Sequence, residues 1–242
     1  MSTFSEISDA ILSVLLPPHC PACGVLLAQN EYFLCTECRF KAPLTRFWRE
    51  AANPMTQRFE GLLPVERASA FMWFIEGSVW QRLIHNFKYH DCWFYATRFG
   101  EWYGGELADS GLYDDVDLVV PIPLHWCKRI KRRYNQSEYL ADGIAKALGV
   151  KVDRRSVVRT VNNPSQTRNH AHERWDNVEG IFGVRRPEAL KGKHILLVDD
   201  VFTTGATIIS CGTAIIKALG EENVRLSVAT LAATQRSMSL DR

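Results

Sequence analysis

The second half of the chain alternates between continuous apolar runs and amphipathic segments. The apolar runs are DLVVPIP (117–123), HILLVDD (194–200) and VRLSVATLAA (224–233), and such runs are typical of strands that are buried on both faces. The segments SEYLADGIAKALG (137–149) and ATIISCGTAIIKALG (206–220) have helical apolar spacing, and each ends in a glycine that favours a helix C-terminus. This alternation predicts an α/β fold, a parallel sheet covered by helices.

The pattern before residue 117 predicts further elements and a boundary. VERASAFMWF (65–74) predicts a strand, SVWQRLIHNFKYH (78–90) predicts a helix, and another helix is expected over residues 92–108. A short amphipathic helix is expected near the N-terminus from the spacing of Phe4, Ile7, Ile11, Leu12 and Leu15. Prolines and a glycine between residues 41 and 64 indicate a linker, so we expect an N-terminal module over 1–60 and a larger domain over 61–242.

Composition and charge exclude several classes of protein. Lys and Arg total 29 against 27 acidic residues, so a net charge of +2 argues against a global attraction to nucleic acid or membrane, and such a partner would need a local patch. The early apolar stretch AILSVLLPP (10–18) is shorter than the ~20 residues of a membrane span and lacks the flanking charges of a secretory signal. We therefore expect a cytoplasmic protein that does not insert into a membrane.

Four of the seven cysteines form two C-x-x-C pairs in CPACGVLLAQNEYFLCTEC (20–38). Two knuckles of this kind can direct four thiolates at one point, as in a structural zinc site, so we predict zinc bound by Cys20, Cys23, Cys35 and Cys38. A thiol–disulfide role for CPAC is the alternative, but it leaves the second pair unexplained. A closed four-cysteine site leaves no open position for catalysis, which makes the module structural or a docking surface. Cys92, Cys127 and Cys211 lack partners at ligand spacing and are interpreted as packing residues.

The segment HILLVDDVFTTGATIIS (194–210) carries the most specific chemistry. We interpret it as a buried strand, a loop and a helix N-terminus, where backbone N–H groups and the helix dipole favour an anion such as phosphate. The adjacent Asp199 and Asp200 can accept hydrogen bonds from vicinal hydroxyls, so the segment predicts a ribose 5-phosphate site. The chain has neither G-x-x-x-x-G-K-[ST] nor G-x-G-x-x-G, which argues against a nucleoside triphosphatase or a dinucleotide-binding protein. The alternative is an acidic strand end and a capped helix without a ligand.

VDDVFTTGAT (198–207) resembles the phosphoribosyl pyrophosphate loop of type I phosphoribosyltransferases. The resemblance implies that Asp199 and Asp200 hold the ribose hydroxyls. It also implies that the 5-phosphate is held by Thr203, Thr204, Gly205, Ala206 and Thr207.

More narrowly, the chain resembles the ComF family of competence-related, phosphoribosyltransferase-like proteins. The four-cysteine ribbon, VVPIPLHWCKRIKRRYNQ (119–136), PSQTRNHAHERWDNVEGIF (164–182) and LLVDDVFTTGAT (196–207) follow the family's order and cover nearly the whole chain. Two positions depart from the family pattern. Arg133 stands where the family usually has the glycine of its R-G-[FY]-N-Q segment, and Asn169 replaces a common leucine.

Two polar segments extend the candidate site. In KRIKRR (128–133) we expect Arg129, Arg132 and Arg133 to face the ligand's pyrophosphate, although such a run can equally hold nucleic-acid phosphates or form a solvated face. Residues 159–180 are interpreted as a binding loop, and the resemblance implies the flexible loop that closes over phosphoribosyl pyrophosphate. Its polar and aromatic residues include Arg159, Gln166, Arg168, His170, His172, Arg174, Trp175 and Asn177. The two histidines lack a third ligand and are interpreted as surface residues.

Two functions follow from this sequence. The first is an enzyme that binds phosphoribosyl pyrophosphate with magnesium and transfers phosphoribose to an acceptor, with pyrophosphate as the leaving group. The sequence has no recognisable pocket for that acceptor. The second is a non-catalytic protein that binds the same ligand, while the ribbon and KRIKRR contact single-stranded DNA or competence proteins. The family resemblance implies a role in DNA uptake under both.

Overall fold

The computed structural model describes residues 18–86, 93–124, 134–160 and 180–238. The predicted N-terminal helix, the KRIKRR loop and most of the polar segment after Arg159 lie outside these ranges. So do Cys92 and Cys127.

A five-stranded parallel sheet forms the centre of the structure. Its strands are β1 (Arg67–Phe74), β2 (Leu118–Pro121), β3 (Lys151–Val152), β6 (Lys193–Phe202) and β7 (Val224–Thr234), in the order β1-β7-β6-β2-β3. Two short strands, β4 (Val157–Arg159) and β5 (Phe182–Val184), form a separate antiparallel pair. The predicted parallel α/β fold is confirmed.

The four longer helices of the described residues lie where the apolar spacing predicted helices, and the three short ones were not predicted. The α-helices are α1 (Thr36–Phe40), α2 (Pro54–Gln57), α3 (Val79–Asn86), α4 (Trp93–Asp109), α5 (Gln136–Leu148), α6 (Ala206–Leu219) and α7 (Gln235–Met238). Short 3₁₀ turns cover Phe47–Arg49, Pro187–Ala189 and Glu221–Asn223. Gly149 and Gly220 cap α5 and α6, as their sequence positions indicated. None of the helices in the described ranges is long and apolar enough to cross a membrane.

The sheet separates two hydrophobic cores. On one face α4 and α5 bury large side chains such as Phe99 and Leu140 against the sheet, and on the other α6 buries Ile208 and Ile215. β6 lies between β7 and β2, and its residues Ile195–Val198 have no exposed surface. Burial on both faces explains the continuous apolar run in this strand.

The segment between the cysteine ribbon and β1 packs against the sheet. The Trp48 ring lies 5.5 Å from that of Phe71, and Met55 is fully buried on the α6 side. The Asn53 amide donates to the carbonyl oxygens of Phe47, Glu50 and Ala68, at 3.1, 2.9 and 2.9 Å, which ties this segment to β1. The division of the chain at residue 60 stays a prediction.

A charged cluster closes the amino edge of the sheet. Arg225 forms ion pairs with Glu66 and Asp115, and Arg67 binds Asp115 at 3.0 Å. Burial raises the pKa of Asp115, but the hydrogen bond from Arg225 and the nearby charges of His194 and Arg67 outweigh it and lower this pKa to about 2. The carboxylates at this edge are therefore matched by cations of the chain itself.

Glycines permit the contact between α4 and α5. A Cβ built on Gly100 of α4 would lie 2.3 Å from Leu140 O. A Cβ built on Gly104 of the same helix would lie 2.8 Å from Ile144 Cα. A Cβ on Gly143 would lie 2.2 Å from Thr97 O and 2.5 Å from Glu101 N. These backbone atoms cannot move aside as a side chain can, so the two helices approach closely only because the three positions lack side chains.

We predict that Gly143→Ala lowers the free energy of unfolding by about 2–3 kcal/mol, because the new methyl group separates α4 from α5. Gly105→Ala is the matched control, since a Cβ there meets nothing within 4 Å. In the control the gain in helix propensity raises stability by about 0.5–1 kcal/mol. Urea unfolding measures both values, and equal effects at the two positions would contradict the packing described here.

Candidate functional site

The carboxyl edge of β6 presents Asp199 and Asp200. Both side chains are partly exposed, directly after the buried run that ends at Val198. The strand continues beyond them, because Val201 and Phe202 still pair with Ala232 and Ala233 of β7. The two carboxylates thus lie within the last four residues of the strand, and the predicted loop starts two residues later than the sequence indicated.

The Asp199 carboxylate is held in position by two donors. Its Oδ1 accepts a hydrogen bond from Ser137 Oγ at 3.0 Å and one from the backbone N–H of Asp200 at 2.9 Å. The Asp200 carboxylate instead accepts from the backbone N–H of Val201 at 2.7 Å. Successive side chains of a strand point to opposite sides, so the two acids have different surroundings.

The loop after β6 turns at Gly205 into the start of α6. Gly205 has φ +77° and is the N-cap residue of α6, so it has no side chain to accept from the first backbone N–H groups of the helix. The N–H of Ala206 donates to Thr204 Oγ1 at 3.4 Å. A Cβ on Gly205 would lie 2.9 Å from Phe202 Cε2, so the turn requires glycine for both its conformation and its space. Thr203, Thr204 and Thr207 are exposed around this turn.

A small open cleft, with a cavity volume of about 20 Å³, joins the acid and the turn. It is lined by Asp199 and by the consecutive residues Val201, Phe202, Thr203, Thr204, Gly205, Ala206, Thr207 and Ile208. All five residues predicted to hold a phosphate therefore surround the same space as Asp199. Asp200 does not belong to this lining, and joint contact of both acids with one sugar stays a prediction.

The start of α5 belongs to the site as well. Asn135 caps this helix by accepting from Ser137 N at 3.3 Å, and its Nδ2 donates to the carbonyl oxygen of Ile122 at 3.0 Å. These bonds place Ser137 beside Asp199. Sequence reasoning missed Ser137 and Asn135 as site residues, although the capping pattern N-x-S before an apolar helix was visible in YNQSEYL.

The other predicted residues divide into two groups. Arg159 ends β4, is half-buried, and lies with its guanidinium carbon 5.4 Å from the centre of the Phe182 ring. Cys211 is fully buried in α6, which agrees with its interpretation as a packing residue. The predictions for Arg129, Arg132 and Arg133, and for His170 and His172, fall outside the described residues.

The four paired cysteines converge near the N-terminus. The Sγ atoms of Cys20, Cys23, Cys35 and Cys38 all lie within 4.8 Å of one another. Four sulfurs around one zinc ion at bonds of about 2.3 Å are separated by roughly 3.8 Å, so this donor set is able to hold zinc. The Sγ atoms of Cys23 and Cys35, at 3.6 Å, come close to that spacing.

The pKa values of these thiols are also consistent with a cation bound among them. Burial raises the pKa of Cys20, but the N–H groups of Cys35, Cys23 and Ala22 outweigh it and lower this pKa to about 7. Burial and the neighbouring sulfur of Cys23 raise the pKa of Cys38. Without a positive ion among them, the four sulfurs cannot all be thiolates.

The cysteine ribbon packs directly on α4. The Phe33 ring lies 5.2 Å from Phe99 in an edge-to-face arrangement, and the Arg39 guanidinium lies 4.8 Å from the centre of the Trp102 ring. Cys20 and Cys35 belong to the same buried cluster as these residues. The ribbon and the sheet thus share one core.

Comparison with known proteins agrees with this geometry. Residues 135–241 match the phosphoribosyl transferase domain family. The competence protein ComFC of Bacillus subtilis (strain 168) is 26% identical over 190 residues, which cover 78% of this chain and 68% of that protein. The resemblance to the ComF family is confirmed.

Other comparisons cover less of this ComF-like chain. The DNA utilization protein YhgH of Escherichia coli (strain K12) is 30% identical over 101 residues, 42% of this chain and 44% of that protein. The chain thus spans less than half the length of the first curated relatives that it matches. A solved structure described as the allosteric regulatory enzyme of purine biosynthesis aligns with a TM-score of 0.35 and 18% identity. It covers 55% of this chain and 25% of the other, a likeness too weak to carry an argument.

We predict that Gly205→Ala destabilises the ComF-like chain by more than the ~1–2 kcal/mol that a left-handed backbone conformation costs a residue with a Cβ. The additional loss comes from contact with the Phe202 ring. Gly149→Ala is the control, because Gly149 has φ +70° and a Cβ there meets nothing within 4 Å. In urea unfolding the Gly205 variant should lose at least about 1 kcal/mol more than the control. A smaller difference would show that the turn adapts to a side chain.

Proposed function

We propose that this chain binds phosphoribosyl pyrophosphate, or a related sugar phosphate, together with magnesium at the carboxyl edge of β6. The observation that carries the proposal is the cleft that Asp199 lines together with the turn from Thr203 to Thr207. Ligands of open parallel sheets bind at this edge. The match of residues 135–241 to the phosphoribosyl transferase domain supports a ligand of this class.

The turn supplies what a 5-phosphate requires. The positive φ of Gly205 begins α6, a helix of 14 residues, and the first backbone N–H groups of such a helix point at its N-terminal end. The helix dipole adds a favourable potential for an anion there. The exposed hydroxyls of Thr203, Thr204 and Thr207 are further donors around the same space.

The acids supply acceptors for the ribose hydroxyls. Ser137 Oγ and the Asp200 N–H fix the orientation of the Asp199 carboxylate before any ligand arrives, which limits the entropy lost on binding. We propose that Asp199 and Asp200 together accept hydrogen bonds from the two ribose hydroxyls. Of the two acids, Asp199 faces the turn from Thr203 to Thr207, which we call the phosphate turn.

The carboxylates of this site are able to bind magnesium together with the phosphates of the ligand. Mg²⁺ is commonly bound by one or two carboxylates plus substrate phosphates rather than by a cage of protein groups, and Asp199 and Asp200 provide such carboxylates. When bound, the ion neutralises charge that develops on the leaving pyrophosphate. Orienting the sugar is the task of the chain's own carboxylates.

The reaction that fits this site is transfer of phosphoribose to an acceptor nucleophile, with release of pyrophosphate. Because pyrophosphate is an anion, we assign its binding to three positively charged side chains, Arg129, Arg132 and Arg133. The acceptor is not identified by any described residue. A link to DNA uptake rests on the resemblance to proteins named for competence and DNA utilization.

A second candidate function is ligand binding without turnover, combined with contact to single-stranded DNA or to competence proteins. The observation that favours it is a pair of aromatic side chains on the ribbon, Tyr32 at 81% and Phe40 at 89% exposure. They line one groove together with Arg39 and Arg46. Exposed aromatic rings beside cations can stack nucleic-acid bases.

We also propose that zinc occupies the four-cysteine cluster as a structural ion. Four thiolates fill the tetrahedron and leave no position for a substrate, so the ion stabilises the ribbon rather than catalysing a reaction. Because the ribbon shares its core with α4, loss of the ion should disturb more than the ribbon itself.

We predict that Asp199→Asn combined with Asp200→Asn abolishes measurable binding of phosphoribosyl pyrophosphate with magnesium, because both charged acceptors for the diol and the metal are removed. Isothermal titration calorimetry measures the affinity. Asp109→Asn with Asp114→Asn is the matched control, because these exposed acids lie at the far end of α4. Retained affinity in the Asp199/Asp200 variant would refute the site assignment.

Two measurements on the wild-type protein distinguish the transferase from the non-catalytic binding protein. Release of pyrophosphate that depends on an added acceptor, DNA included, supports the transferase. Saturable binding without release, together with binding of single strands that weakens as salt rises, supports the second candidate.

For the ribbon we predict one zinc ion per chain and its loss in Cys23→Ser, because three thiolates hold zinc far less firmly than four. The metal content is measured by atomic emission, and the stability by thermal unfolding. Cys211→Ala is the control, since this buried cysteine lies in α6 and should leave the zinc content unchanged. Full zinc content in Cys23→Ser would contradict the four-cysteine site.

A further inference from the structure

His194 is a buried histidine that the proposed function does not use. It is the second residue of β6 and is only 1% exposed. Its Nε2 forms a hydrogen bond with Ser227 Oγ of β7 at 2.8 Å. Its Nδ1 has no hydrogen-bond partner, although an oxygen of Asp115 lies 3.2 Å away. A buried ring nitrogen without a partner is rare in folded proteins and requires an explanation.

Four charged side chains surround the His194 ring, and their charges cancel. Glu66 precedes β1, Arg67 begins β1, Arg225 lies in β7, and Asp115 lies in the loop between α4 and β2. His194 Nδ1 and one oxygen each of Glu66 and Asp115 lie within 4.8 Å of one another. Two carboxylates and two guanidinium groups give a net charge of zero as long as the imidazole is neutral.

The carboxylate oxygens of this cluster already accept hydrogen bonds from the arginines. Asp115 Oδ1 accepts from Arg67 Nη1 at 3.0 Å, and Asp115 Oδ2 accepts from Arg225 Nη2. Both oxygens of Glu66 accept from Arg225, one from Nε and one from Nη2. A proton added at His194 Nδ1 would therefore compete with an arginine for its acceptor. It would also place a third positive charge among two negative ones at a buried position, which is unfavourable.

The same histidine joins the loop between α4 and β2 to the sheet. Its backbone N–H donates to Asp117 Oδ2 at 2.8 Å, and its carbonyl oxygen accepts from Asp117 N at 2.9 Å. Tyr113 of this loop donates to Ser69 Oγ of β1 at 3.0 Å. The loop thus rests on the edge of the sheet that His194 occupies, and its charge contacts are made with the cluster around the imidazole.

We propose that His194 is an acid-sensitive contact that holds the loop between α4 and β2 on the amino edge of the sheet. Gain of a proton from solvent at Nδ1 leaves an unbalanced charge at a buried position, and the loop that carries Asp115 separates from β1, β6 and β7. Because the cluster lies at the opposite end of β6 from Asp199, this inference is independent of the proposed function.

The surroundings of the imidazole determine the sign of the effect. Burial lowers the pKa of His194, and the opposing charges of Asp115 and Glu66 do not reverse this shift, because Arg225 and Arg67 act with burial. The folded chain therefore binds the proton less readily than the unfolded chain. Stability that is fully present above the unfolded pKa of about 6.5 is lost as the pH falls from there towards the folded pKa.

The acids of the cluster do not titrate in the same range. The pKa of Asp115 is lowered to about 2 and that of Glu66 is also lowered, so both stay charged while the imidazole gains its proton. A change in stability between pH 7.5 and pH 5 at this edge is therefore a property of the histidine.

Three variants test the contact. His194→Gln cannot gain a proton in this range and keeps an amide at similar reach towards Ser227. His85→Gln is the matched control, because His85 is exposed near the end of α3 and undergoes the same change. Arg225→Gln removes one of the competing cations, so a protonated imidazole can then bind a carboxylate in place of the arginine. Urea unfolding of each protein is measured between pH 7.5 and pH 5.

We expect the unfolding constant of the wild type to rise by about tenfold more between pH 7.5 and pH 5 than that of His194→Gln, since unfolding takes up a proton at this residue. His85→Gln should follow the wild type, and Arg225→Gln should rise less steeply than the wild type. If unfolding at pH 7.5 shows that His194→Gln is not folded, Arg225→Gln decides the question.

Hydrogen–deuterium exchange measures the loop itself, with each rate compared to that of an unfolded peptide at the same pH. In the wild type, residues 110–117 should lose about tenfold in protection between pH 7.5 and pH 5, while residues 195–198 of β6 keep theirs. His194→Gln should keep the protection of both.

An equal pH dependence of unfolding in the wild type and in His194→Gln would overturn the inference. So would a loss of protection that is the same for residues 110–117 and 195–198, because the proton would then act on the whole sheet and not on this loop.

Discussion

Burial of β6 on both faces is the constraint on which the structure depends. With α5 on one side and α6 on the other, Ile195–Val198 have no contact with water, so charged side chains of this strand can exist only at its ends. At the amino end Arg225 and Arg67 neutralise the acids that gather there. At the carboxyl end Asp199 instead accepts hydrogen bonds from the Ser137 hydroxyl and a backbone N–H, which fix the orientation of its carboxylate.

The rest of the molecule supports that edge. The glycine contacts between α4 and α5 fix the position of α5, and the first turn of α5 carries the Ser137 hydroxyl to Asp199. The ribbon packs on the outer surface of α4 through Phe33. A change in the ribbon is therefore able to affect the site through α4 and α5, which pack against each other. In this account the ribbon stabilises the scaffold and also exposes aromatic rings that suit a macromolecular partner.

Much of the fold was predictable from the sequence, because its central strands are buried on both faces and the helices α5 and α6 end in glycine. The turn between β6 and α6 was predictable from Gly205, because a positive φ favours glycine. The position of Ser137 beside Asp199 was not, because it arises from a contact across 62 residues of sequence. The length of β6 was also underestimated, since pairing with β7 carries it past the acids.

The central claim is that a sugar phosphate lies in the cleft between Asp199 and the start of α6. The most direct measurement is a crystal structure of the protein soaked with ribose 5-phosphate. The account predicts phosphate oxygens within hydrogen-bond distance of backbone N–H groups between residues 203 and 207, and a ribose hydroxyl bound to Asp199. A phosphate bound elsewhere, or a ribose turned away from Asp199, would contradict it.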